Sequence, residues 1–167
     1  MSRQLAVYAG SFDPPTAGHV WMIEQGAALF GELIVALGVN PEKQYLFSVE
    51  ERLQMLRECS AHLPNVRVHC FSNQFLIHFA ESVGARFVLR GIRSESDYEQ
   101  ERTMRNLNGD LDPDVTTVFL MPPRAIAEVS SSLVRGLVGP SGWEEVVKSY
   151  VSADVLEKLR ERYEQRT

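Results

Sequence analysis

The sequence is poor in cysteine, and this limits the metal and redox sites that it could form. Only two cysteines occur in 167 residues, Cys59 and Cys70. Neither lies in a Cys-x-x-Cys motif or beside a pair of histidines, and no His-Glu-x-x-His motif is present. We therefore expect two reduced thiols, without a metal site or a disulfide.

Long hydrophobic runs and a leader segment are also missing. No apolar run approaches the ~18 residues that a membrane-spanning helix needs. The first residues do not combine a charged stretch with an apolar one. These absences predict a cytoplasmic protein that has no membrane partner.

Basic residues do not predominate, which argues against non-specific binding of nucleic acid. The chain has 17 lysines and arginines against 22 aspartates and glutamates, a formal charge of −5. A protein that binds nucleic acid through charge presents a broad basic surface. We expect no nucleic-acid partner, and any phosphate site should be a local cluster of cations.

Two common nucleotide-binding motifs are absent as well. The sequence contains no Gly-x-x-x-x-Gly-Lys-(Ser/Thr), and no Gly-x-Gly-x-x-Gly follows its first apolar run. The first absence excludes a P-loop. The second argues against an ordinary dinucleotide-dependent dehydrogenase.

What the sequence does contain is a regular alternation of short apolar runs and helical patterns. With 44% hydrophobic and 23% charged residues, it has the composition of a globular protein. The apolar runs predict five strands, at residues 5–8, 33–37, 66–71, 86–89 and 116–120. Their alternation with helices predicts an α/β fold, a doubly wound five-stranded parallel sheet with helices on both faces. We expect one domain over residues 1–167, with a helical tail at about 143–163.

A cluster of polar residues and glycines follows the first predicted strand. Ser11, Thr16 and His19 lie between the carboxyl end of this strand and the start of a helix, where open α/β sheets bind ligands. The amides and dipole of a helix start suit phosphate, and Gly10 and Gly18 would let an anion approach the backbone. The same spacing also fits an ordinary loop in which Thr16 caps the helix.

Cations and serines follow the other predicted strands. Lys43 follows the second, Arg90 and Arg93 follow the fourth, and three serines at residues 130–132 follow the fifth. Each one alone could be a solvated surface residue. In a parallel sheet, however, all of these loops open at the same edge as His19. Phosphoryl or nucleotidyl transfer needs such a set, because it depends mostly on positioning and charge neutralisation.

These motifs resemble those of a known enzyme family. Residues 10–14, Gly-Ser-Phe-Asp-Pro, and 16–19, Thr-Ala-Gly-His, are similar to the signature of the nucleotidyltransferase superfamily. Residues 88–93, Val-Leu-Arg-Gly-Ile-Arg, with 97–101, Asp-Tyr-Glu-Gln-Glu, narrow the resemblance to the phosphopantetheine adenylyltransferases. The resemblance runs from about residue 5 to residue 135 and implies a Rossmann-like nucleotidyltransferase fold.

The resemblance implies two groups of site residues. Residues expected to contact 4′-phosphopantetheine are Ser11, Lys43, Leu76 and Arg90. Residues expected to form the ATP site are Ser11, Phe12, His19, Gly91, Ile92, Arg93, Glu101, Ile126, Ala127, Glu128, Val129, Ser130, Ser131 and Ser132. Three of these residues are expected to be catalytic: His19, Lys43 and Arg93. The resemblance also implies Mg²⁺, for which no protein ligands are assigned.

The activity that the resemblance implies is transfer of AMP from ATP to 4′-phosphopantetheine, with release of pyrophosphate, in coenzyme A synthesis. The acceptor's phosphate would attack the α-phosphate directly. We expect His19 to act as an uncharged hydrogen-bond donor to the α-phosphate, its pKa lowered by the helix start. Lys43 would bridge the two reacting phosphates. Arg93 and Ser131 would hold the β- and γ-phosphates, and Arg90 the acceptor phosphate.

Two other functions fit parts of the same sequence. An adenylyltransferase for nicotinate or nicotinamide mononucleotide would share the Phe-Asp-Pro-Pro and serine motifs. A non-catalytic nucleotide-binding module could keep the same cleft. The presence of His19, Lys43 and Arg93 argues against the module, because binding alone does not need donors aimed at a transferring phosphate.

The resemblance also implies a symmetric homohexamer. The tail at residues 153–163 has one apolar stripe, which can be buried on its own domain and does not require a partner. Phe71, Phe75 and Ile77 exceed what the neighbouring helix needs for its core. We therefore expect an exposed apolar subunit contact near residues 72–77.

Overall fold

Five parallel strands form one sheet in the computed structural model, which describes residues 4–165. The strands are β1 (Leu5–Gly10), β2 (Glu32–Val39), β3 (Val66–Ser72), β4 (Phe87–Gly91) and β5 (Thr116–Leu120). Their order across the sheet is β3-β2-β1-β4-β5, and every neighbouring pair is parallel. All five predicted strands are confirmed, with most extended by one to three residues.

Within residues 4–165, eight helices connect and follow these strands. They are α1 (Ala17–Leu29), α2 (Val49–Ser60), α3 (Leu76–Ser82), α4 (Glu95–Leu111), α5 (Arg124–Ala127), α6 (Ser131–Leu137), α7 (Trp143–Val147) and α8 (Ala153–Glu164). The predicted helical tail corresponds to α7 and α8. Within residues 4–165, no helix is both long enough and apolar enough to cross a bilayer.

The sheet is covered on both faces, as the apolar runs predicted. Side chains of a strand alternate between its two faces. Tyr8 and Leu33 therefore belong to one apolar cluster, together with Ile23 of α1. Val7 and Ile34, their neighbours in sequence, belong to a second cluster, on the other face with α3. This arrangement confirms the doubly wound α/β fold.

A third apolar cluster lies beneath the C-terminal helices. Trp143 of α7 and Leu159 of α8 are buried in it, and Phe47, from the loop between β2 and α2, packs against them. The hydroxyl of Tyr163 donates to the backbone oxygen of Gly139 at 3.1 Å. The tail thus buries its apolar stripe on its own domain. It also supports the loop between β2 and α2, which lies near the motif of residues 10–19.

Two of the three residues expected at an apolar subunit contact near residues 72–77 are packed within their own domain. Ile77 is only 1% exposed, because it lies on the inner side of α3 together with Ala80, one turn away. Phe71 is half-buried and its ring stacks on Phe79, with centroids 4.8 Å apart. Phe75 alone of the three aromatic and apolar residues projects into solvent, at 58% exposed.

The chain reverses its direction of travel across the sheet at β1. From β1 it proceeds to β2 and β3 on one side, and then crosses back to β4 and β5 on the other. A crevice outside the carboxyl ends of such strands is where doubly wound folds bind ligands. The sheet order therefore points to the ends of β1 and β4.

Candidate active site

A cavity of about 420 Å³ lies at the carboxyl ends of β1 and β4. It brings together residues from the ends of β1 and β4, the start of α1, the first turns of α4 and the loop before α6. The predicted residues that line it are Ser11, Phe12, His19, Arg90, Gly91, Arg93, Glu101, Ile126, Val129, Ser130, Ser131 and Ser132. The structure thus places twelve of the residues named from the sequence around one cleft.

Five predicted site residues do not line this cavity. Lys43 is exposed on the loop between β2 and α2, where it borders a separate shallow depression. Ile92, Ala127 and Glu128 lie beside lining residues but outside the cavity wall. Leu76 lines a smaller neighbouring pocket of about 60 Å³, which shares Arg90 and Glu101 with the cleft.

The turn after β1 is built around the ring of Phe12. This ring packs edge-on against Tyr8 and His19, with centroids 5.6 and 5.0 Å away. Phe12 has a φ of 47°, in the left-handed region that side chains rarely adopt. A Cβ at Gly10 would lie 3.1 Å from Cζ of Phe12, so any other residue there would require the ring to shift.

The two glycines of the motif are explained by packing within the protein. Gly10 makes room for the Phe12 ring, and a Cβ at Gly18 would lie 3.3 Å from the backbone oxygen of Val129. Both contacts are tighter than ordinary van der Waals distances. The sequence suggested approach of an anion as the reason for these glycines, and the structure adds a second reason, close approach of protein atoms.

His19 is held in one tautomer by the start of α1. Its Nδ1 accepts hydrogen bonds from the backbone N–H and the hydroxyl of Thr16, each at 3.0 Å. Because Nδ1 is the acceptor, the proton of the neutral ring is on Nε2. The half-buried ring lines the cavity, so its remaining N–H is available as a donor there.

The imidazole of His19 is uncharged at neutral pH. Burial lowers its pKa to about 4, and the positive charge of Arg93 acts in the same direction. The expected direction of the shift is confirmed. Its causes are burial and a neighbouring cation, where the sequence suggested the helix start.

Arg90 is paired with Glu101 across the cleft. Its Nε donates to one carboxylate oxygen at 2.8 Å and its Nη2 to the other. Burial acts to lower the pKa of Arg90, but the hydrogen bonds and charge of Glu101 outweigh it and the pKa is raised. The guanidinium therefore stays charged and is fixed in orientation. The sequence assigned these two residues to different substrates, and the structure joins them directly.

Arg93 lies at the mouth of the cavity. Its Nε donates to Asp97, in the first turn of α4, at 2.9 Å. Its side chain is 41% exposed, so this pair is solvated. Arg93 can therefore exchange Asp97 for a phosphate at little cost, since exposed ion pairs contribute roughly 0–1 kcal/mol.

The serine motif connects α6 to the turn after β1. Ser130 caps α6 by accepting from the N–H of Leu133 at 3.1 Å, and the hydroxyl of Ser131 donates to the backbone oxygen of Pro14 at 2.8 Å. Arg135 donates to Ser132 at 3.1 Å. These bonds hold the backbone of residues 130–132 against the cavity.

Three residues that the sequence reasoning did not assign also shape the site. Tyr8, at the end of β1, lines the cavity, and burial raises the pKa of its hydroxyl well above the usual value. Asp13 is buried and accepts from the N–H groups of Leu46 and Phe47, at 2.8 and 2.9 Å. Arg52 donates to the backbone oxygen of Ser11 at 2.8 Å.

The sequence contained a pattern that could have identified Asp13 and Arg52. Asp13 is a carboxylate within an otherwise apolar Phe-Asp-Pro-Pro turn, where a buried charge needs partners. Arg52 lies three residues after Val49 and four before Leu56, on the inward stripe of α2. A charged residue on that stripe indicates a specific buried role.

The cavity does not offer a ligand set for a protein-bound Mg²⁺. Its two lining carboxylates are Asp97 and Glu101, which are paired with Arg93 and Arg90. In the part of the chain that the structure describes, no three histidine, cysteine or carboxylate side chains cluster in a way that could hold a metal ion.

Comparison with solved structures supports the fold. A nicotinic acid mononucleotide adenylyltransferase of Plasmodium falciparum, complexed with NaAD, superimposes with a TM-score of 0.70 at 14% identity, covering 95% of each chain. A lipopolysaccharide core biosynthesis protein of Thermoplasma volcanium gives 0.53 at 18% identity, covering 72% of this chain and 97% of that one. At these identities the likeness shows a shared fold.

Sequence comparison identifies the family of the chain. The cytidylyltransferase-like family model matches residues 7–137. A phosphopantetheine adenylyltransferase of Chromobacterium violaceum is 57% identical over 95% of this chain and 96% of that protein. One from Neisseria meningitidis is 58% identical over 92% of this chain and 91% of that protein. The chain therefore belongs to the cytidylyltransferase-like family and, within it, to the phosphopantetheine adenylyltransferases.

Proposed function

We propose that this protein transfers AMP from ATP to 4′-phosphopantetheine, forming dephospho-coenzyme A and pyrophosphate. The observation that carries the proposal is the cleft itself. There an uncharged histidine donor, a solvated arginine and a fixed arginine–glutamate pair meet at the switch point of the sheet. The names of relatives that are 57–58% identical give the substrates.

The reaction is a direct in-line displacement. An oxygen of the acceptor's phosphate forms a bond to the α-phosphorus of ATP, and the bond from that phosphorus to the bridging oxygen of the β-phosphate breaks. A phosphate monoester is largely ionised near neutral pH, with a second pKa of about 6. The protein therefore has no need to activate a nucleophile, and its work is positioning and charge stabilisation.

His19 acts on the α-phosphate. Negative charge redistributes over the phosphate oxygens as the transition state forms, and a preorganised donor stabilises it. The Nδ1 of His19 is occupied by Thr16, so Nε2–H is the donating group. Since the ring is uncharged at neutral pH, it supplies a hydrogen bond and does not transfer a proton.

The triphosphate and the acceptor phosphate are held by cations on two sides. Arg93 and Ser131 bind the β- and γ-phosphates, and Lys43 bridges the attacking phosphate and the α-phosphate. Lys43 stands on a loop whose far end is attached to the motif by Asp13, which supports this role. Mg²⁺ would supply neutralisation of charge on the triphosphate, and no cleft carboxylate would be free to hold it, because Glu101 and Asp97 are paired with Arg90 and Arg93.

The acceptor reaches the cleft from the side of Leu76. The small pocket there is lined by Phe75, Leu76 and Met104, and it opens on Arg90 and Glu101. Apolar side chains suit the aliphatic part of a pantetheine arm. Arg90, fixed on Glu101, presents its remaining donors to the acceptor's phosphate.

The exposed face of α4 is the surface most suited to contacts between subunits. Helix α4 has no buried residue, and large apolar side chains project from it, including Met104, Leu107 and Leu111. Exposed apolar surface of this kind marks contacts between proteins. We propose a homohexamer in the cytoplasm, with Phe75 and the exposed face of α4 at contacts between subunits.

The test is pyrophosphate release from ATP with a panel of acceptors. The panel contains 4′-phosphopantetheine, pantetheine without its phosphate, nicotinate mononucleotide and nicotinamide mononucleotide. We expect release with 4′-phosphopantetheine only. Equal or faster pyrophosphate release with either mononucleotide would identify that mononucleotide as the acceptor instead. ATP binding without pyrophosphate release with any acceptor would favour a binding module. The His19→Ala variant, purified in parallel, controls for contaminating activity.

A further inference from the structure

Arg52 is a buried cation outside the set of residues assigned to substrates. It lies in the first turns of α2 and is only 1% exposed. A guanidinium removed from water is normally compensated by a carboxylate. Within residues 4–165, Arg52 forms no ion pair. The guanidinium instead contacts backbone oxygens and an aromatic ring.

Three contacts fix the orientation of this guanidinium. Its Nη1 donates to the backbone oxygen of Ser11 at 2.8 Å, and its Nε to that of Ser48 at 3.3 Å. The ring of Tyr45 covers it, with the centroid 3.9 Å from Cζ. Arginine suits such a site, because its planar fork donates in fixed directions while its face stacks on an aromatic ring.

The contact with Ser11 determines how the next amide is presented. In a trans peptide the C=O and the following N–H point in opposite directions. The oxygen of Ser11 faces Arg52, which lies outside the cleft, so the N–H of Phe12 points away from Arg52. Both Ser11 and Phe12 line the cleft. Within the described residues, no protein atom accepts a hydrogen bond from this N–H.

This peptide needs a restraint. Phe12 has a φ of 47°, a conformation that is unfavourable for a residue with a large side chain. Rotation of the Ser11–Phe12 peptide would relieve this unfavourable conformation of Phe12, and it would turn the Phe12 N–H out of the cleft. The hydrogen bond from Arg52 opposes that rotation.

We propose that Arg52 is a positioning residue for adenylyl transfer, which holds the Ser11–Phe12 peptide so that the Phe12 N–H faces a phosphate oxygen of ATP. The inference rests on the proposed function, since it concerns the same cleft. It adds a residue of α2 that touches neither substrate and acts through the backbone of the motif.

The experiment compares Arg52→Met, Arg52→Lys and a control, Arg57→Met, an exposed arginine on the same helix. Steady-state rates of pyrophosphate release with 4′-phosphopantetheine give kcat and the KM of each substrate. Calorimetric titration with MgATP gives its affinity and the fraction of competent sites. Circular dichroism gives the melting temperature, so that every rate is measured below unfolding and per competent site.

We expect Arg52→Met to lower kcat about 100-fold, the loss typical of one misplaced donor to the transition state. Arg52→Lys should lower kcat about 10-fold, because it keeps the charge without the fork. The affinity for MgATP should change less than about threefold in both variants, since the other phosphate contacts remain. Arg57→Met should match the wild type. If Arg52→Met fails to fold, Arg52→Lys carries the same test.

Three results would overturn the inference. One is a wild-type kcat per competent site in Arg52→Met or Arg52→Lys with only the melting temperature lowered, which means a structural role. Another is a loss of MgATP affinity as large as the loss of kcat. The third is an equal loss of kcat in Arg57→Met. An inactive wild-type protein would instead contradict the proposed function.

Discussion

The backbone N–H of Thr16 donates to Nδ1 of His19 at 3.0 Å. This bond joins the residue before α1 to the third residue of the helix, so the start of α1 itself sets the tautomer of the imidazole. The same bond leaves Nε2 as the donor to the cleft. Two residues of one local motif thus fix the tautomer of the imidazole that we propose as the donor.

Replacement of His19 by alanine should reduce turnover more than binding. We expect kcat to fall by ~10²- to 10³-fold, the loss typical of one transition-state donor. The affinity for ATP should change far less, because many other groups hold the triphosphate. His62→Ala is the control, since His62 is an exposed histidine whose Nε2 lies 3.5 Å from a carboxylate oxygen of Glu24, outside the cleft. Equal losses of ATP affinity and kcat in His19→Ala would show uniform binding and contradict this role.

The low pKa of His19 predicts how stability depends on pH. The folded protein holds the ring neutral to a pKa of about 4, whereas an unfolded chain takes up the proton near 6.5. The unfolded state therefore binds more protons between these values, so the folded state should lose stability as pH falls from about 6.5 towards 4. Urea unfolding of wild type and His19→Gln at pH 7.5, 5.5 and 4.5, with all three buffers at equal ionic strength, measures this. The glutamine variant should lack that part of the loss, and identical pH profiles would refute the shift.

Arg90 and Arg93 should serve different substrates. Arg90→Lys keeps the charge but loses the planar fork, so the KM for 4′-phosphopantetheine should rise several-fold with little effect on ATP. Arg93→Lys should raise the KM for ATP instead. The two variants control for each other in one kinetic assay. A similar response of both substrates to both variants would exclude this division.

Asp13 should anchor the loop that carries Lys43. Its buried carboxylate accepts from Leu46 and Phe47 and lies 3.7 Å from Arg135. Asp13→Ala leaves two donors and a cation without their acceptor, so we expect a loss of about 2–4 kcal/mol in the free energy of unfolding. Glu161→Ala, at an exposed position of α8, is the control and should stay within about 0.5 kcal/mol. Urea unfolding of both variants measures the difference, and equal losses would disprove a specific anchor.

Assembly can be tested with two exposed apolar residues of similar accessibility. Phe75 is 58% exposed and Leu29 is 56% exposed. Light scattering across a tenfold dilution should give a stable hexamer for the wild type and a smaller mass for Phe75→Glu, because a buried carboxylate disrupts an apolar contact. Leu29→Glu should keep the wild-type mass. A wild-type mass near 18.8 kDa would exclude the oligomer, and dissociation by Leu29→Glu alone would place the contact elsewhere.

The sequence by itself determined the elements of the fold and the location of the motif. The apolar run at residues 33–37 is a local pattern that suits a buried strand. The β-branched and aromatic residues at 116–120 suit a partly buried strand at the edge of the sheet. The motif of residues 10–19 lies at the end of the first strand for the same reason. Since parallel strands end at one edge, most of the predicted cleft followed from the order of elements along the chain.

Only the tertiary structure decided which polar and charged groups pair with one another. Arg90 pairs with Glu101, Asp13 with the amides of residues 46 and 47, and Arg52 with the backbone of Ser11. It also placed Lys43 outside the cleft wall and Ile77 in the interior. A hydrogen bond between residues 33 or 41 positions apart leaves no periodic pattern in the sequence. It exists because the packed sheet brings a buried donor and acceptor together, where each would otherwise lose its bonds to water.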